Sequence, residues 1–218
     1  MFSQKIKIKL ITILMYVSIL LHPATSLARP GSYPGGWTFM QMNDADANSM
    51  HIHYSPTAKY SIGYRGSYWR EKEFHTHSLQ INNLLKRKNN TDSQANAYLK
   101  SGVGFAYDPT TDATEPHVFT GLALDWENRR FFTAYENSFH YSGEIDEEFA
   151  QSIHLGVAPY IGEYGDLHTW LMVEVEQTPG AEDEIKVTPH LRFFKNVYLI
   201  EIGVSEDKEV MANFVVRF

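Results

Sequence analysis

VMANFVVRF, residues 210–218, alternates without a break. Val210, Ala212, Phe214, Val216 and Phe218 fall on one face, and Met211, Asn213, Val215 and Arg217 on the other. Successive side chains of an extended strand point to opposite sides, so this run predicts a strand with one apolar and one mixed face. Whether the apolar face meets a protein core or lipid decides the fold class.

The same period recurs upstream, broken only by turn residues. Tyr60, Ile62, Tyr64, Gly66 and Tyr68 alternate with Ser61, Gly63, Arg65 and Ser67. Val118, Thr120, Leu122, Leu124 and Trp126 alternate with Phe119, Gly121, Ala123 and Asp125. Comparable runs lie at 97–107, 131–141, 153–157, 171–175, 185–193 and 198–204. No run of helical period follows residue 36. Asn128-Arg129 and Asn196 predict tight connections, whereas 108–116, 142–148, 177–184 and 205–209 are longer, polar and mostly acidic. About twelve strands result, with roughly 16 residues per strand and connection, which suits membrane strands of about 10 residues.

An exported soluble β-sandwich shares this alternation. Two features favour a membrane barrel, whose apolar face meets lipid and whose polar face lines the lumen. Tyr, Phe and Trp gather toward strand ends, as interfacial girdles require. The other face mixes small residues with single charges: Arg65, Lys100, Asp125, Glu136, Glu174, Arg192 and Glu201. A water-exposed face would carry more Lys and Glu. Pro189, inside a strand, removes a ladder donor and marks an expected bulge. His75, His77 and Asn83 fall on the lipid-facing register.

The final strand resembles the C-terminal signal of bacterial outer-membrane β-barrels, in which a terminal aromatic ends an alternating strand. That resemblance implies outer-membrane lipid as surroundings and the barrel-assembly machinery as a partner, through Phe218. The expected fold is all-β: a closed antiparallel up-and-down transmembrane β-barrel of about twelve strands. With both termini periplasmic, strand parity puts the acidic connections on the extracellular side and KRKNNTDS (86–93) on the periplasmic side.

The N-terminal segment fits export. Lys5, Lys7 and Lys9 precede the apolar run LITILMYVSILL (10–21), and Ser26 and Ala28 place small residues before Arg29. This is a secretory signal-peptide pattern. Residues 1–28 are therefore expected to be removed, leaving 29–218 as one barrel domain. Without those three lysines the formal charge falls from −7 to −10, which argues against nucleic acid as a partner. The chain has no cysteine, so disulfides, Cys-based metal sites and a lipoprotein anchor are excluded.

Candidate chemistry starts at GGWTFMQMNDADANSMHIHYSP, residues 35–56. Two strands, 37–43 and 50–54, are expected around a turn at Asp46-Ala47. That register sets Met40 opposite His53 and Met42 opposite His51 on the lumen face. Thioether and imidazole ligands in such proximity suit Cu(I) or Ag(I), so Met40, Met42, His51 and His53 are the candidate metal ligands. The plain alternative is that Met and His only fill the barrel. His140, His154 and His190 add further inward imidazoles, and His75 and His77 form an i, i+2 pair.

GGWTFMQMND (35–44), SIGYRGSYW (61–69) and NNLLKRKNNTDSQANAYLKSGVG (82–104) resemble a group of small outer-membrane proteins associated with heavy-metal efflux loci. The resemblance covers roughly residues 35–105. It implies a metal-linked role and envelope efflux components as partners, with no defined ligand set.

Enzymatic readings rest on less. Ser152/His154 and Ser138/His140 each share a face, as a nucleophile and base would. No acyl-transfer, zinc-protease or P-loop motif surrounds them, and no catalytic residue is assigned. Inward charges of both signs tend to pair and to plug a lumen. The primary expectation is therefore a non-enzymatic barrel linked to soft-metal handling, plugged or very narrow. A narrow diffusion channel stands second and a lipid-modifying enzyme third. A channel for acidic oligosaccharides would need a strongly basic lining, which this sequence lacks.

Overall fold

The computed structural model describes residues 34–163, 165–181 and 184–218. The expected signal peptide, 1–28, lies outside them. The described residues form twelve strands: β1 (Trp37–Asn43), β2 (Ala47–Thr57), β3 (Tyr60–Trp69), β4 (Phe74–Asn89), β5 (Ser93–Asp108), β6 (Ala113–Asn128), β7 (Phe131–Tyr141), β8 (Glu147–Val157), β9 (His168–Gln177), β10 (Ile185–Lys195), β11 (Tyr198–Val204) and β12 (Val210–Arg217). Each pairs antiparallel with its sequence neighbours, and β1 pairs with β12 to close the barrel. Closure satisfies the backbone of both terminal strands and leaves no sheet edge, the condition for crossing hydrocarbon with strands.

Alternation decides which atoms face out. Leu79, Val103, Ile153, Leu155 and Ile202 are each about half or more exposed. All lie on the outer face, as does the alternate set Val210, Ala212, Phe214 and Val216 of β12. So much apolar surface around a closed wall is a lipid-facing belt, not a soluble surface. The buried set is the reverse of a soluble core. Ser49, His51, His53, Ser78, Gln80, Asn96, His117, His140, Glu201 and Asn213 are all buried, on the inner face. The barrel is a transmembrane β-barrel with a polar interior.

Strand parity places connections 44–46, 70–73, 109–112, 142–146, 178–184 and 205–209 at one end, here the loop end. The other end carries Trp37 and Phe218, joined by reciprocal backbone hydrogen bonds of 2.6 and 2.9 Å. The acidic connections share the loop end, and the Lys86–Lys88 hairpin lies at the other, as expected.

Three sequence expectations are corrected. The first hairpin turns at Ala45-Asp46, one residue earlier than expected. Asp44 Oδ1 accepts the amides of Asp46 and Ala47 at 3.0 and 2.7 Å, and this side-chain clamp sets the turn. Pro189 makes no bulge: the β9–β10 register runs unbroken from Ile185 to Phe194. Pairing of β10 with β11 begins at His190, so Pro189 sits where that ladder ends and its missing N–H costs little. The β6–β7 turn is Arg129-Arg130: Glu127 pairs with Phe132, and Asn128 Oδ1 accepts the amides of Arg130 and Phe131 at 2.7 and 2.6 Å. Asn83 does face outward, opposite Tyr60 at the rim where β3 begins. There an amide lies level with the aromatic girdle rather than deep in hydrocarbon.

Candidate functional site

The inner wall is the candidate site, and charge pairs run through it. Lys100 Nζ donates to Glu136 Oε2 at 2.6 Å, and Arg192 Nε to Glu201 Oε1 at 2.5 Å. Asn213 donates to the other Glu201 oxygen at 3.0 Å, so both acceptors of that carboxylate are used. Arg87 and Asp125 are bridged by Asn96, at 2.6 and 2.7 Å. Arg65 places its guanidinium 5.2 Å from the Phe119 ring, within cation–π range. All the inward charges expected from alternation are on this wall, and most have an opposite partner.

Bulk inside the lumen depends on glycine. Phe119 lies over Gly102, where a Cβ would overlap its ring. Met172 lies over Gly156 in the same way. Near the terminal end Met172, Trp170 and Ala158 pack with Phe132, and the Arg192 guanidinium stands 4.5 Å from the Phe132 ring.

At the loop end a second cluster forms. The Trp69 and Phe74 rings stack 5.8 Å apart at an interplanar angle of 8°, and Phe74 is fully buried. His140 lies 4.6 Å from Trp69 and 5.8 Å from His117. Connection 142–146 folds inward onto this cluster. Ser142 Oγ is 2.8 Å from His117 Nδ1, and Asp146 Oδ2 is 2.7 Å from His140 Nε2. A carboxylate only accepts, so that Nε2 carries the proton. Lys72, from connection 70–73, donates to Asp146 at 2.6 Å and to Glu148 at 2.9 Å. Burial would raise the Asp146 carboxyl, but the hydrogen bonds from His140 and Lys72 outweigh it and hold the group below the ordinary carboxylate range. Burial acts against the Lys72 ammonium, yet Asp146 and Glu148 raise it above the usual lysine value.

Met40, Met42, His51 and His53 of the first hairpin share the luminal face, but not in the expected pairing, and Met50 faces outward. Met40 stands opposite His51, Met42 opposite Ser49, and Thr38 opposite His53. The earlier turn slides the register by one residue pair, which keeps every side chain on its face and changes its partner. His51 and His53 rings are 5.9 Å apart. His51 Nε2 is 3.0 Å from Ser49 Oγ, and His53 Nδ1 is 3.4 Å from Asn82 Nδ2. Beyond His51 lies Arg65, and beyond His53 lies Gly63. Among the described residues no group of three or more His, Cys, Asp or Glu converges as metal ligands do. A soft-ion site here would rest on thioether and imidazole together.

The other histidines divide. His154 and His190 are luminal, whereas His75 and His77 face outward. His77 Nδ1 is 2.5 Å from the Tyr64 hydroxyl, and the His75 ring lies 4.8 Å from that of Tyr68, tilted by 37°. Ser152 Oγ is 3.1 Å from His154 Nε2, and Glu174 Oε1 is 3.5 Å from the same nitrogen. A nucleophile relay uses the two different ring nitrogens, so this trio is arranged as luminal packing. The loop-end cluster was not singled out from sequence. Alternation does place His117 and His140 inward, but Lys72 and Asp146 are 74 positions apart with no motif between them.

No family model matches the chain, and no curated protein matches it in sequence. Among solved structures it is similar to the KdgM porin in complex with disordered oligogalacturonate, at 8% identity and a TM-score of 0.50, over 84% of this chain and 98% of that one. A second KdgM porin structure gives 7% identity and a TM-score of 0.49 over the same shares. OccAB1 of Acinetobacter baumannii gives 9% and 0.43, over 81% of this chain and 60% of that one. At such identities the likeness is one of fold: a closed antiparallel barrel.

Proposed function

We propose that the chain is a non-enzymatic outer-membrane barrel acting as a narrow diffusion channel for small neutral or cationic solutes. The observation that carries this reading is the lining itself: an inner wall of polar and charged side chains inside a closed, lipid-facing barrel. Arg65, Lys100, Lys186, Arg192 and Arg217 are matched by Asp125, Glu136, Glu174, Glu176 and Glu201, and the loop end adds acid. Such a lining disfavours an anion like the oligogalacturonate of the KdgM complex. Export through residues 1–28 and insertion through Phe218 by the assembly machinery complete the proposal. Single-channel recording of the refolded barrel in planar bilayers tests it. Discrete steps with cation preference are expected, and a folded barrel that passes no current would overturn it.

A second reading concerns soft metals. Met40, Met42, His51 and His53 line one stretch of luminal wall, and Met40 and His51 are directly opposed. Opposed Cβ atoms lie about 4.5–5.5 Å apart, within reach of a shared Cu(I) or Ag(I). In this reading the barrel takes part in metal handling beside envelope efflux components. Cu(I) titration of the wild type and of a Met40→Leu/Met42→Leu/His51→Gln/His53→Gln variant tests it. Tight stoichiometric binding lost in the variant supports the site; equal weak binding by both proteins removes it.

A further inference from the structure

Connection 142–146 closes by the same backbone hydrogen bonds as connection 205–209, but its side chains reach luminal His117 and Lys72 of the β3–β4 turn. It leaves β7 at His140 and Tyr141 and turns back on itself within five residues. The Ser142 amide donates to the Asp146 carbonyl at 2.7 Å, and the Ile145 amide to the Ser142 carbonyl at 3.1 Å. Gly143 takes a left-handed φ of 61° with Glu115 filling the place of a Cβ, so the turn lies tight against β6. Ser142 is fully buried against luminal His117. The segment therefore lies over the inner wall at the mouth rather than standing away from the barrel.

One carboxylate ties it across the mouth. Asp146 reaches His140 on its own hairpin and Lys72 on the β3–β4 turn, across the ends of β4, β5 and β6. Its side chain is nearly buried, whereas Lys72 is 39% exposed. An ion pair with one solvated partner is a weak fastening. Beneath it, Trp69 and Phe74 stack on each other, and the His140 ring lies tilted against both.

We propose that 142–146 is a releasable strap that narrows the loop-end mouth of the lumen, with Asp146 as its latch. The inference rests on the channel reading and adds a control point to it. Released, the segment loses its tie to Lys72 across the mouth and swings about Gly143, and the mouth widens.

The chain has no cysteine, so the strap can be held by chemistry. Single-channel conductance is compared for the wild type, for Asp146→Asn, and for a Lys72→Cys/Asp146→Cys variant bridged by a reducible bis-methanethiosulfonate cross-linker. Asp146→Asn is expected to conduct about twofold or more above the wild type, because the narrowest section limits the current. The bridged variant is expected to conduct at the wild-type level and to rise on reduction. Equal currents from wild type and Asp146→Asn, with no change on reduction of the bridge, would overturn the strap while leaving the channel intact. No current from any of the three, in folded protein, would remove the channel reading and the strap with it.

Discussion

Trp69 and His140 stand on the inner faces of β3 and β7, with β4, β5 and β6 between them, yet their rings are 4.6 Å apart. Adjacent strands are about 4.8 Å apart, so the wall between these two residues measures roughly 19 Å along its arc. Their contact means that side chains bridge the chord across the lumen at the loop end. Phe74 fills the space beneath them.

That bridge depends on the filling. Phe74→Ala is expected to destabilise the barrel by about 3–5 kcal/mol, the usual cost of an emptied aromatic site. The midpoint of heat- or urea-induced loss of the compact electrophoretic band measures it. Phe74→Leu should recover most of the loss. A null effect of Phe74→Ala would mean that the pad is not a packed core.

Acid should loosen the mouth before the barrel. The Asp146 carboxyl is held below its unfolded value by His140 and Lys72. A group depressed in this way contributes stability above the unfolded carboxyl pKa, near 4, and loses it as pH falls through the folded value. Hydrogen exchange of amides 142–146 should therefore rise below about pH 4 in the wild type. In Asp146→Asn it should be fast already at neutral pH and insensitive to acid.

Arg192 and Glu201 form a pair with side chains only 12% and 9% exposed. Removing one member leaves an uncompensated charge in the lumen wall. Arg192→Met alone and Glu201→Leu alone are each expected to cost about 3–5 kcal/mol, whereas the double variant should lie close to the wild type. A double-mutant cycle on the unfolding midpoint reads the coupling. Additive losses would show that the lumen at this height is wet enough to solvate either charge.

Gly104 faces inward on β5 where a Cβ would overlap the His77 carbonyl oxygen of β4. Backbone cannot yield there as a flexible side chain could. Gly104→Ala is expected to lower the yield of heat-modifiable barrel more severely than Gly102→Ala, whose Cβ would overlap the movable Phe119 ring and stand 2.9 Å from the Leu79 carbonyl oxygen, against 1.8 Å from the His77 oxygen at Gly104. Equal yields would place the β4–β5 approach under less constraint than its geometry indicates.

Much of this was legible in sequence, and the misses share a cause. The faces of the strands follow from alternation, because a period of two has only two phases and the lipid belt selects one; the exceptions lie past the irregularities of β2 after Tyr54 and of β4 at Leu84–Lys86, where Arg87 turns inward to Asn96. The luminal address of Met40, Met42, His51 and His53 was readable for the same reason. Their pairing was not, since it turned on one hydrogen-bonding side chain, Asp44, which moved the turn by one residue. Pro189 read as a bulge because the sequence does not reveal where its neighbour strand stops pairing.

What the sequence by itself determined is local and periodic: a barrel of about twelve strands, the inside and outside of each uninterrupted run, the signs of the luminal charges and the end at which the acid gathers. The tertiary structure decided which charges meet, that Ser152 and Glu174 share one nitrogen of His154, and that Lys72, His140 and Asp146 close over a stacked Trp69 and Phe74. The reason is physical. Alternation is enforced residue by residue by the bilayer and the pleat, whereas contacts across a lumen depend on closure, stagger and loop direction, which belong to the whole barrel and to no single stretch of chain.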